Sequence, residues 1–211
     1  MSAVSSIHFA AVVEWFDNMT TNGINKQPSP LAPSTIHITT HNASGQATLH
    51  SSEQAKWTAF TDLKFASASL YTTTAMPPDL NDDADIKSFK EVVSRGVVPA
   101  VLPQGTVCRF VDFEPNGKGF MHRTQSLDYG IVMEGEVVLE LDDGSETHMT
   151  KGDVAIQRAT VHAWSNPNPT EWARVLFVLQ HCEPLYVGGK RFKEDLGAAN
   201  GHVPESANDH E

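Results

Sequence analysis

The sequence has few cysteines and no long apolar run, and both features narrow the class of protein to which it can belong. Its 211 residues include two cysteines, Cys108 and Cys182, which lie in separate strand-like runs outside any CxxC pair. This arrangement favours free thiols in a reducing compartment over a disulfide. No run of about 18 apolar residues occurs, so no membrane helix is predicted. The N-terminus lacks the basic start of a signal peptide and carries Glu14 in its apolar stretch, so we predict a cytoplasmic protein.

Basic residues are also scarce. The chain has 15 Lys and Arg residues against 26 Asp and Glu residues, a formal net charge of −11. Such a charge opposes non-specific binding to nucleic acid or to an anionic membrane. We therefore expect a small-molecule partner, with no nucleic-acid and no membrane partner.

The sequence divides into four segments by composition. Residues 1–33 form an extension, flexible or helical, with an amphipathic helical pattern over 7–19 and a Pro- and Asn-rich linker after it. Residues 34–96 are predicted to form N-terminal strands and a short helix that pack on a barrel. Residues 97–187 predict the barrel itself, and residues 188–211 a C-terminal tail.

From residue 97 the apolar pattern has period two. Short runs from VVPAVLPQG to ARVLFVLQ follow one another with turns between them, and Asp143-Gly144 is the strongest hairpin signal. Before them, DLNDDADIKSFKEVVSRG predicts one helix, capped by Asn81 or Asp82 and closed by Arg95-Gly96. Many short strands with one helix predict an all-β sandwich or barrel.

A spaced set of polar residues begins at His122. Thr124 follows two positions later, then Asp128 and Gly135. This spacing resembles the first conserved motif of the cupin family, G-x5-H-x-H-x(3–4)-E-x6-G. Thr124 stands in place of the second histidine, and Asp128 stands in place of the glutamate.

A second set lies 30 residues further on. Gly152 opens it, Gln157-Arg-Ala159 takes the place of P-x-G one residue early, and His162 and Asn166 close it. This set resembles the second cupin motif, G-x5-P-x-G-x2-H-x3-N. The stretches MHRTxSLDYG and QRxTxHAW are further similar to small single-domain cupins common in fungi and bacteria. The resemblance implies a double-stranded β-helix, or jelly roll.

The resemblance also implies one divalent metal ion. Carried over by position, its ligands are His122, Asp128 and His162, because a Thr124 hydroxyl is a poor ligand at neutral pH. Two histidines and one carboxylate form a known set for Fe(II), Zn²⁺ or Mn²⁺. The alternative is a metal-free pocket in which both histidines are hydrogen-bonded and titrate near neutrality. In both cases His122, Asp128 and His162 are the predicted catalytic residues.

Four neighbours of these residues are predicted to bind substrate. Thr124 points where the second histidine would lie, Gln157 and Trp164 can line the pocket wall, and Arg158 can meet an anionic substrate at the mouth. Tyr129 follows Asp128 and faces away from it by strand alternation.

The direction of the side chain is also considered for three further polar residues. Arg123 is predicted to point away from the pocket and to pair with an acid. Arg174 and Gln180 lie on one face of ARVLFVLQ. Parity alone does not say whether this face is the inner one, so one of the two could reach the pocket.

The predicted function is lyase or isomerase chemistry without oxidation, by dehydration, decarboxylation or proton transfer, on a carbonyl-rich, polyketide-like metabolite. Two alternatives stay open, an Fe(II)-dependent dioxygenase and a cupin that binds a ligand without turnover. The resemblance also implies a homodimer, in which residues 34–75 can add strands to the partner's sheet.

Overall fold

The computed structural model describes residues 27–207, and the helix predicted for residues 7–19 lies outside this range. One α-helix, α1, spans Ala84–Ser94, and none of the described helices is long and apolar enough to cross a membrane. The strands are β1 Thr35–His41, β2 Ala47–Gln54, β3 Thr58–Phe60, β4 Phe65–Thr73, β5 Thr106–Phe113, β6 Ser126–Glu134, β7 Glu136–Leu141, β8 Glu146–Thr150, β9 Val154–Arg158, β10 His162–Ser165, β11 Ala173–His181, β12 Leu185–Val187 and β13 Lys190–Phe192.

Two sheets enclose the main core. The larger has the order β3-β4-β5-β11-β6-β9 and the smaller the order β10-β7-β8. Val132 and Phe177 of the larger sheet share one buried cluster with Val137 and Trp164 of the smaller sheet, so the two sheets pack face to face. The predicted hairpin joins β7 to β8, with Gly144 in the left-handed region at φ +81°. The all-β jelly roll is therefore confirmed.

The N-terminal strands belong to the chain's own larger sheet. β3 pairs with β4, and β4 pairs with β5. On the outer side of this sheet, Trp57 lies in a second buried cluster with Ala66 and Ala68, and the β1–β2 hairpin contributes Ile36 to its margin. The inner side of β4 faces the barrel interior, so this segment supplies part of the cavity wall.

Arg174 fastens the N-terminal segment to the outer face of the larger sheet. Its Nε and Nη2 donate to the two carboxylate oxygens of Asp112 at 2.6 and 2.7 Å. Its Nη1 donates to Ala32 O at 2.8 Å and Ser34 Oγ at 2.9 Å, and its guanidinium lies 4.9 Å from the Trp57 ring centre. The prediction left open whether Arg174 reaches the pocket. It faces away from the pocket, because Phe177 and Leu179 of the same strand line the cavity instead.

Two local predictions were wrong. Neither Asn81 nor Asp82 caps α1; Asp83 is the N-cap residue, in a left-handed conformation and without a side-chain capping bond. The apolar run 97–105 forms no strand, although Val98 and Val101 are buried. Its two prolines explain this, because proline cannot donate to a sheet ladder.

The described part of the C-terminal tail packs against the barrel opening. The backbones of Arg123 and Asp195 exchange hydrogen bonds of 2.7 and 2.9 Å. Gly197 has φ +52°, and a Cβ there would lie 2.1 Å from the Met121 carbonyl oxygen, so only glycine permits this approach. Arg123 points away from the pocket as predicted, but its Nε donates to the Lys193 carbonyl oxygen rather than to an acid.

Candidate active site

A cavity of about 200 Å³ occupies the barrel interior. Its wall is mainly apolar and aromatic. It is built by the larger sheet, including the inner face of β4, by β10 of the smaller sheet, by the segment 120–124, by the loop after α1 and by the C-terminal segment. Its polar groups are few, as in most small-molecule sites. They include His122, Thr124, Asp128, Gln157 and His162, five of the residues that the sequence selected, together with Arg109.

Asp128 is the central ionisable group of this cavity. It lies on the inner face of β6, directly opposite Gln157 of β9, and its side chain is 3% exposed. Burial raises the pKa of Asp128 to about 7, against the lowering effect of hydrogen bonds from Ser126 and Thr124 and of the Arg109 charge. Its Oδ1 is buried and has no hydrogen-bond partner within the described part of the chain.

Gln157 presents the complementary group. Its Oε1 accepts a hydrogen bond of 3.1 Å from Trp164 Nε1, which fixes the amide so that Nε2 is the free end. In residues 27–207 this buried Nε2 has no acceptor. Buried polar groups are normally satisfied. An unpaired donor beside an unpaired acceptor therefore indicates a place where a ligand oxygen or hydroxyl binds.

The two histidines lie side by side. Their ring centres are 4.3 Å apart, and their backbones form an isolated antiparallel bridge. Nδ1 of His122 lies 3.0 Å from the Phe120 carbonyl oxygen, and Nδ1 of His162 lies 2.9 Å from the Thr160 carbonyl oxygen. Since a carbonyl only accepts, each Nδ1 carries the proton and each Nε2 carries the lone pair.

Both imidazoles are neutral at physiological pH. Burial lowers the pKa of His162 to about 3, with a further contribution from the neighbouring His122, and burial lowers the pKa of His122 as well. The predicted alternative, histidines that titrate near neutrality, is therefore wrong for His162. Asp128, not a histidine, is the cavity group that titrates near pH 7.

The three predicted ligands do not assemble into a metal centre. The two imidazoles suit metal binding, because each donates its other nitrogen to a carbonyl as ligating histidines do. Nevertheless, across residues 27–207 no group of three or more His, Cys, Asp or Glu side chains is arranged to hold an ion. Asp128 instead hydrogen-bonds with Thr124 and Ser126. The side chains present thus supply two donors and no third, and the chemistry below is derived from the protein's own groups.

Arg109 is a cation in the cavity wall that the sequence analysis did not select. It lies on the inner face of β5, opposite Phe177 of β11, and lines the cavity. Its Nη2 donates to the carbonyl oxygens of Val98 (3.3 Å) and Pro99, whereas its buried Nε has no partner in the described residues. The available signal was strand parity, because Arg109 lies on the same face of β5 as the inward-facing Val107 and Val111.

Arg158 does not have its predicted role. It is exposed and does not line the cavity, because the inward position of β9 belongs to Gln157. The neighbouring Ala159 adopts φ +51° where the family motif has glycine, so the turn is kept and the chain leaves the cavity there. Tyr129 faces outward as predicted and is 39% exposed.

Comparisons with known proteins agree with this architecture. A family model described as a cupin domain matches residues 109–179. "Oryzines biosynthesis cluster protein J" of Aspergillus oryzae is 36% identical over 162 residues, which cover 76% of this chain and 89% of that protein. The chain belongs to the cupin family. A further relative, the "cupin-domain-containing oxidoreductase virC" of Hypocrea virens, is 39% identical over 171 residues, covering 79% of this chain and 86% of that protein.

The cupin assignment made from the two motifs is therefore confirmed, since both His122 and His162 lie within the matched segment. Among solved structures, an RmlC-like cupin from Shewanella frigidimarina is 13% identical. It covers 62% of this chain and 86% of its own, with a TM-score of 0.40.

Proposed function

We propose that this cupin is an enzyme that moves a proton on a carbonyl-containing small molecule, in isomerase or lyase chemistry without oxidation. The observation that carries the proposal is Asp128, a buried carboxyl with a pKa of about 7 and a free Oδ1 in the barrel cavity. A general acid or base works best when its pKa lies near the working pH. The names of its relatives, which include proteins of oryzine and phomopsin biosynthesis clusters, support a role in secondary metabolism. A cytoplasmic location stays a prediction of the sequence.

The step uses the unpaired groups around Asp128. The ionised carboxylate takes a proton from the carbon next to the substrate carbonyl, and the electron pair moves onto the carbonyl oxygen. Gln157 Nε2, the free donor opposite Asp128, donates a hydrogen bond to that oxygen as negative charge develops. Asp128 then returns the proton to another atom of the same molecule or to a leaving hydroxyl.

A deuterium-exchange assay tests this proposal without knowledge of the natural substrate. The protein is incubated in D₂O with a panel of aryl ketones and aryl-substituted oxo acids, and exchange at the carbon next to the carbonyl is followed by proton NMR. We expect catalysed exchange for some of them, reduced about 100-fold or more in Asp128→Asn. The exposed Asp142→Asn is the matched control and should retain the rate. Equal rates in wild type and Asp128→Asn for every compound would reject the proposal.

A metal-dependent oxygenase is the second candidate, because several relatives are named oxidoreductases. The proton-bearing Nδ1 atoms of His122 and His162 leave two nitrogens able to bind an ion such as Zn, Fe or Mn. Iron in protein purified without chelator, lost in His162→Ala, together with oxygen uptake would favour this candidate. Ligand binding with neither exchange nor oxygen uptake would favour a non-catalytic cupin.

We also propose a homodimer, formed through the outer face of β6 and β9. Tyr129 lies directly opposite Ile156, and both are exposed, as is the neighbouring Val154. β9 is an edge strand of the larger sheet, which adds unpaired backbone groups beside this apolar surface. We expected residues 34–75 to add strands to a partner's sheet; of these, β3 and β4 lie in the chain's own larger sheet.

Sedimentation velocity tests the dimer. We expect Val154→Glu to shift the protein toward monomer, because the new charge would be buried at the interface. Val187→Glu is a matched control, since both valines are 54% exposed and Val187 lies on β12, outside the larger sheet. A wild-type monomer at 100 µM, or equal dissociation of both variants, would contradict the proposed surface.

A further inference from the structure

Arg109 is a half-buried cation with a buried Nε, and within residues 27–207 it forms no ion pair. The ion pairs among residues 27–207 join Arg95 to Glu91, Lys151 to Glu134 and Arg174 to Asp112. The groups that Arg109 does contact, the Val98 and Pro99 carbonyls, are neutral. The charges of Arg109 and Asp128 attract each other, but the two side chains form no ion pair. A desolvated charge without a paired counter-charge is costly, so the retention of Arg109 in a cavity wall indicates that a ligand supplies the opposite charge.

We propose that Arg109 binds a carboxylate of the substrate, so that this cupin acts on organic anions that carry both a carboxylate and a carbonyl group. The loop carbonyls hold one edge of the guanidinium, and the buried Nε remains available to donate. A guanidinium with free donors matches the fork of a carboxylate better than any neutral group does.

The strand positions of Arg109 and Asp128 also indicate how the carboxylate and the reacting carbon are arranged in the ligand. Arg109 lies on β5 opposite Phe177 of β11, and Asp128 lies on β6 opposite Leu179 of β11. One strand thus separates them, which places their backbones roughly 10 Å apart. The carboxylate and the reacting carbon therefore belong to separate ends of the ligand, and the aromatic wall formed by Phe65, Phe113 and Phe120 suits a ring between them.

This inference rests on the proposed function and deepens it, because it names the substrate class of the same site.

The test compares benzoate with benzamide, which have nearly the same shape and differ in charge. We expect calorimetry at pH 6.5 to show that wild type binds benzoate at least about tenfold more tightly than benzamide. Arg109→Gln should remove this preference and Arg109→Lys should keep part of it. Arg158→Gln, which removes an exposed positive charge, should leave it unchanged. If Arg109 only held the 97–105 loop, its replacement would weaken the binding of both compounds alike, and this result would contradict the inference.

A second measurement does not depend on any variant. In wild-type protein, the ¹⁵N resonance of Arg109 Nε should move on addition of millimolar benzoate and stay in place with benzamide. No movement with benzoate, or a benzoate preference that survives Arg109→Gln, would overturn the inference. Asp128→Asn separates the carboxylate inference from the proposed function. Loss of ketone exchange in this variant with an intact benzoate preference supports both proposals. In wild type, exchange without the benzoate preference rejects only the role of Arg109, and the preference without exchange rejects only the catalytic proposal.

Discussion

Asp112→Ala is expected to lower the free energy of unfolding by about 3–5 kcal/mol, measured by urea denaturation. Asp112 is fully buried and receives two hydrogen bonds from Arg174, which is itself 5% exposed. Removal of the carboxylate leaves the guanidinium charge uncompensated between the sheet and the N-terminal segment. Ser29, whose hydroxyl donates to Asp112, would lose its partner too. The N-terminal segment should therefore become more accessible to protease in the variant.

Two control variants show whether burial is the cause. Glu134→Gln breaks the ion pair with Lys151, in which both side chains are at least half exposed, and should cost less than about 1 kcal/mol. The double variant Asp112→Leu/Arg174→Met removes both charges at once and should be more stable than Asp112→Ala alone, because no unpaired charge remains. A loss below about 1 kcal/mol in Asp112→Ala would show that the pair is unimportant.

The sequence predicted the parts of the fold that local patterns determine. Asp143-Gly144 predicted a hairpin because glycine readily adopts the positive φ that such turns require, as Gly144 does, and the period-two runs predicted most of the strands. It did not predict that Arg174 would face away from the cavity, because its partner Asp112 lies 62 residues earlier in the chain. Burial of a charge depends on such distant partners, which a local pattern does not contain.

The candidate site was predicted through motif positions, and its electrostatics were not. Spacing selected His122, Asp128 and His162, and the structure places all three at one cavity. The sequence did not reveal that Thr124 and Ser126 would hold Asp128 by hydrogen bonds. Arg109 was missed for the same reason, because an arginine inside TVCRFVDF has no motif and only the folded loop 97–105 shows what it contacts.

Asp128→Asn is expected to abolish proton-transfer activity and, at the same time, to stabilise the fold at alkaline pH. Folding raises the pKa of Asp128 from its ordinary 3.8 to about 7. The stability associated with this residue is therefore fully present below about pH 4 and is lost as the pH rises toward 7. Asparagine has nearly the same shape and no charge, so the variant lacks this dependence.

The difference in unfolding free energy between Asp128→Asn and wild type should therefore grow by about 2–4 kcal/mol between pH 5 and pH 8, in favour of the variant. Urea denaturation of both proteins at each pH isolates this residue, because every other titrating group is common to the two. Asp142→Asn, at an exposed carboxylate, should show no such growth. A constant difference across this range would mean that Asp128 is ionised at neutral pH like an ordinary carboxylate. A buried acid that destabilises the protein while it is charged has no structural reason to be there, so a growing difference joined to lost activity would assign Asp128 to catalysis.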